Sequence, residues 1–89
     1  LLKLKEIKMD PVKIIEVIRF IEGQRQSIDL MLESTDQKDA SVGVLLESRR
    51  LYDLIISEDS TLDEIVAQIH KKNVAAKEYE ASTGEKWLF

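Results

Sequence analysis

The sequence predicts an all-α fold, a small antiparallel three-helix bundle with helices over about 11–33, 40–57 and 61–82. Three observations carry this. Apolar residues recur at three- and four-residue steps through three segments. A helix-start signal precedes each segment. And with 3 Gly, 1 Pro and five aromatic residues in 89, turn formers are too scarce for a β-sandwich.

The first helix opens at Asp10-Pro11, a capping carboxylate followed by proline in the first turn. Ile14, Ile18, Ile21, Ile28 and Leu32 then step along one face, interrupted only by Arg25. Val17, Phe20 and Met31 widen that face on one side, giving the breadth of a core-facing helix rather than of a narrow coiled-coil seam. Gly23 lies inside it, at a cost of about 1 kcal/mol relative to alanine. Ser34 to Asp39 is a polar connection, with Asp39 placed to cap the second helix. That helix, Ala40 to Ser57, gathers Val44, Leu45, Leu51, Tyr52, Ile55 and Ile56 on one broad face. Thr61-Leu62-Asp63-Glu64 fits the capping box, in which hydroxyl and carboxylate reciprocally satisfy free backbone donors. Leu62, Ile65, Val66, Ile69 and Ala76 form the third stripe, which weakens after His70, and Gly84 is the expected C-terminal cap.

Such a short chain makes one domain, residues 1–89, with a single thin core. Residues 1–9 read as an extended or non-native leader, with Met9 a candidate start, and residues 85–89 as an apolar tail. Ile15 and Leu30 on the first helix, and Leu46 and Leu54 on the second, fall outside the main stripes. Covering them takes the termini or a second subunit, so dimerisation is one way to complete the bundle.

Composition removes several function classes. The absence of Cys excludes disulfides, thiolate zinc sites and cysteine nucleophiles, and one His is too few for a His-rich metal site. No Gly-rich phosphate loop, calcium loop or H-E-x-x-H motif occurs, and neither metal nor cofactor is expected. With 13 Lys+Arg against 17 Asp+Glu, the net charge of −4 argues against nucleic acid as the main ligand. Arg49-Arg50 and Lys71-Lys72 are the residues a weak nucleic-acid contact would use. No apolar run approaches the ~20 residues of a membrane span. The expected compartment is the cytoplasm.

The candidate functional residues are polar side chains within apolar stripes and apolar ones outside them. Arg25, Ser48 and Asn73 each interrupt one stripe, and helix lengths place Arg25 and Ser48 at the same height, with Asn73 about 4–5 Å off. A buried polar layer sets helix register or oligomer state. The plainer alternative is an Arg25 that covers the core with its stem and reaches Glu22 or Asp29 with its head. Trp87-Leu88-Phe89 is either a hook for a partner's groove or a tail folded back over the open side of the bundle. The acidic stretch from Asp53 to Glu64 reads as a solvated face, or as a docking surface for a basic partner.

Ile21-Glu22, Arg25 and Ile28, followed by Val44, Ser48, Leu51, Leu54 and Ile55, are similar in outline to the small sporulation-type aspartyl-phosphate phosphatases. That resemblance implies a helical hairpin acting on a response regulator through an Asp directly after the S-x-x-L leucine. Tyr52 stands at that place here, and Asp53 comes one residue later, about 100° around the helix. Arg25-x-x-Ile28-Asp29 with Leu45 to Arg49 resembles the helical chorismate mutases, whose arginines bind a dicarboxylate, at a spacing longer by about two turns. Asp59-Ser60 resembles the acyl-carrier attachment site, with Thr61 inserted before Leu62. None of the three patterns is complete.

The expectation is therefore a non-enzymatic helical interaction or regulatory protein that self-associates. Its binding residues would be Arg25, Leu46, Leu54, Trp87, Leu88 and Phe89, and its partner another protein, a second copy of itself, or both. The enzymatic alternative is a small phosphatase or mutase using Arg25 with Asp29 and Asp53.

Overall fold

The computed structural model describes residues 10–87. They form three helices: α1 (Pro11–Ser34), α2 (Val42–Ile56) and α3 (Leu62–Thr83). This is the all-α antiparallel three-helix bundle that the stripes predict. The expected leader, residues 1–9, and the last two residues, Leu88 and Phe89, lie outside the described residues.

The helix ends obey their local chemistry. Asp10 Oδ1 accepts from the Val12 N–H at 2.9 Å. Thr61 and Glu64 complete the capping box at α3, the Thr61 hydroxyl accepting from the Glu64 N–H at 3.2 Å. Gly84 closes α3 at φ 75°, and its N–H donates to the Glu80 carbonyl at 2.9 Å. The start of α2 differs from expectation. Asp39 turns its carboxylate onto the Ser41 N–H and hydroxyl, at 2.9 and 2.7 Å, so residues 39–41 form a turn and helical geometry begins at Val42. Ser60, buried in the α2–α3 connection, donates to the carbonyls of Leu54 and Ser57 and ties that loop to the end of α2.

The bundle is open. α2 packs against both neighbours, whereas α1 and α3 do not pack against each other. The core consists of Ile14, Ile21 and Ile28 from α1, Val44, Leu45 and Leu51 from α2, and Ile65 from α3. Two ion pairs set the α1–α2 register: Arg25 Nε lies 2.7 Å from Asp53 Oδ1, and Arg49 Nε lies 3.1 Å from Asp29 Oδ1. Gln68, buried on α3, sets the α2–α3 register by donating to the Glu47 carbonyl at 2.9 Å and to its carboxylate at 2.8 Å. α2 has 15 residues against 24 and 22 for its neighbours. The outer helices therefore overhang it, α1 at one end and α3 at the other. The resulting body measures 43 × 26 × 20 Å, and its radius of gyration is 14.6 Å. A compact chain of this length would have about 12 Å.

Candidate functional site

Because α1 and α3 diverge over α2, a groove opens between them with α2 as its floor. Its α1 wall is Gln24, Ser27, Ile28 and Met31, and its floor is Leu45, Ser48, Leu51 and Tyr52. Lys72 of α3 and Trp87 of the tail close the other side around a cavity of about 230 Å³. The α1 wall results from its spacing. Val17, Phe20, Gln24, Ser27 and Met31 step three and four along one flank, the side on which the sequence widens the stripe. Where that flank runs past the end of α2 it stays open, with Val17 and Phe20 exposed.

Trp87 reaches the groove by a turn. Gly84 reverses the chain, the Trp87 N–H donates to Glu80 Oε1 at 3.3 Å, and the indole meets Tyr79 edge-on with ring centroids 5.1 Å apart. Of the two geometries open to the tail, Trp87 adopts the folded-back one.

Ser48 sits in the floor at 4% exposure, and its hydroxyl has no hydrogen-bond partner among the described residues. Helical serines commonly satisfy themselves on the carbonyl one turn back. Ser27 and Ser34 do so, on Gly23 and Leu30, each at 3.0 Å. Lys72, at the rim, makes no ion pair with any described residue, and among the described residues the groove's other ionisable group is Tyr52.

A polar layer of Arg25, Ser48 and Asn73 does not assemble. With Arg25 opposite Asp53, Ser48 stands about 7–8 Å further along the pair, and Asn73 is exposed. Arg25 finds its carboxylate across the helix pair rather than on Glu22 or Asp29, and it takes no part in lining the groove. Leu46 is 40% exposed, and Leu54 is half-buried in a shallow depression with Arg50, Asp53, Ser57 and Gln68. Of the expected binding residues that are described, Arg25, Leu46, Leu54 and Trp87, the groove thus collects Trp87. Ile15 and Leu30 are exposed, at 49% and 66%.

The third stripe divides. Ile65 and Gln68 face the core, while Leu62, Val66 and Ile69 are 62%, 56% and 40% exposed. Gln68 carries no motif. Its one signal is position, three residues after Ile65 and four before Lys72, on the inward row of α3.

The two carboxylates of the enzymatic alternative are held in ion pairs. Tyr52, at the place of the phosphatase aspartate, lines the groove, whereas Asp53 points to Arg25 and Asp29 to Arg49. Among the described residues no group of three or more His, Asp or Glu is placed to hold a metal ion. No helix among them is long and apolar enough to cross a membrane. No protein-family model matches the chain, and no curated protein or solved structure is detectably similar to it.

Proposed function

We propose that this is a helical interaction protein that works by self-association, its α3 helices meeting in a dimer that offers a surface to another protein. The observation that carries this reading is the outer seam of α3. Leu62, Val66, Ile69, Asn73 and Ala76 step 4-3-4-3, the spacing of a coiled-coil contact, and the three large apolar members stand exposed beside a core that already has Ile65. Asn73 occupies a seam position where a buried amide specifies register and oligomer state. Leaving three adjacent apolar side chains in water costs hydrophobic free energy of about 25 cal/mol per Å² that pairing with a second copy would recover.

Sedimentation equilibrium tests it. The expected result is a dimer that Val66→Glu converts to a folded monomer with unchanged helical circular dichroism. A monodisperse monomer at high protein concentration would overturn the proposal.

A further inference from the structure

We infer that the groove between α1 and α3 is a binding site for a small amphiphilic anion, a compact aliphatic or aromatic monocarboxylate. Three independent features converge there, none of them part of the α3 seam. The cavity of about 230 Å³ is walled by apolar side chains from α1, α2 and the tail: Ile28 and Met31, Leu45 and Leu51, and Trp87. It is larger than the roughly 150 Å³ apolar cavity that takes benzene and smaller than the ~300 Å³ lower bound of drug-sized sites. A single ring or a chain of several methylenes fits.

The second feature is Ser48, a hydroxyl more than nine-tenths buried in the floor and without a partner among the described residues. A hydroxyl in such a place costs stability unless something bonds to it, and a carboxylate oxygen is a strong acceptor. The third is Lys72 at the rim. Among the described residues its ammonium is the groove's one cationic group, and no described carboxylate engages it, although acids outnumber bases in the chain. The ligand's apolar body would rest on Leu45, Leu51 and Met31, leaving Ser48 and Lys72, which line the same groove, to its headgroup. An ammonium or other cationic headgroup would meet Lys72 as a like charge, and a neutral one would gain only a weaker hydrogen bond from it than a carboxylate does.

Trp87 is the chain's only tryptophan and forms one wall, so its fluorescence reports occupancy directly. The probes are octanoate and, as its neutral counterpart, 1-octanol, titrated into the full chain below their micellar or solubility limits. Octanoate is expected to shift Trp87 emission saturably, and 1-octanol to bind at least about tenfold more weakly. Lys72→Gln should remove most of that preference, and Ser48→Ala should weaken octanoate several-fold, more than it weakens octanol. Lys71→Gln, on the exposed neighbour, should do neither. Equal binding of the two probes would overturn the inference. So would a Lys71→Gln loss equal to that of Lys72→Gln, which would mean diffuse charge attraction, or no saturable response to octanoate.

Discussion

Arg25 of α1 meets Asp53 of α2 at 2.7 Å, and one turn along each helix the charges are exchanged, with Asp29 meeting Arg49 at 3.1 Å. The exchange makes the register self-correcting. Sliding α2 by one turn in one direction sets Arg25 against Arg49, and in the other sets Asp29 against Asp53. Each side chain is more than a third exposed, so the attraction is modest, and the penalty for the wrong register supplies the specificity.

Reversing one charge should therefore cost more than its bridge is worth. Arg25→Asp is expected to lower unfolding free energy by about 1 kcal/mol, and adding Asp53→Arg should restore most of it. Urea denaturation of the two single variants and the double variant measures the coupling. Strict additivity would show that the pair has no role in register.

Ser48→Ala should stabilise the free protein by about 1 kcal/mol, because the substitution removes a buried hydroxyl that has no partner among the described residues and leaves almost no cavity. The expected signature is a higher urea midpoint at unchanged slope. A loss of stability would mean that the hydroxyl is satisfied in the native state.

The two glycines Gly23 and Gly84 should answer the same substitution with opposite signs. A Cβ at either would meet nothing within 4 Å, so backbone conformation decides. Gly23 is inside α1, and Gly23→Ala should gain about 0.5–1 kcal/mol from helix propensity. Gly84 has φ 75°, and Gly84→Ala should lose about 1 kcal/mol from left-handed strain while loosening Trp87. Thermal melts monitored at 222 nm, with Trp87 emission as the local readout, separate the two effects.

Asp39 carries a pH dependence of known sign. The Ser41 N–H and then the Ser41 hydroxyl, both donating to its carboxylate, hold its pKa below the ordinary aspartate value. The turn is therefore favoured above that ordinary value, and its contribution is lost as pH falls through the lowered folded value. Carboxyl NMR titration should find Asp39 among the more acidic aspartates, and Ser41→Ala should raise its midpoint. An unchanged midpoint in that variant would separate the shift from the turn.

Much of the fold is legible in the chain because its signals are local. Asp10-Pro11, the Thr61/Glu64 box and Gly84 each act within a turn or two of backbone, and each does in the structure what its chemistry dictates. The start of α2 is misplaced by two residues because Asp39 can serve either as a cap or as a turn, and its local bonds to Ser41 favour the turn. The α3 stripe misleads for a different reason. Periodicity shows that Leu62, Ile65, Val66 and Ile69 share a broad face, but the arc that α2 covers depends on how far apart the helices stand. The exchanged ion pairs are equally out of reach. The four charged residues are visible, yet i, i+4 spacing on each helix is compatible with several partners.

Helix number, the approximate limits and the caps of α1 and α3 are properties of short stretches of chain, and they derive from backbone hydrogen bonding, capping side chains and apolar period. The groove does not. It exists because α1 and α3 each pack on α2 and not on each other, because Arg25 and Gln68 choose particular partners along α2, and because Trp87 returns to close one wall. The partner choices of Arg25 and Gln68 join residues at least 21 positions apart, and they depend on side-chain reach and competing partners in three dimensions. Whether a serine is buried without a partner, or a leucine is left in water, is decided there.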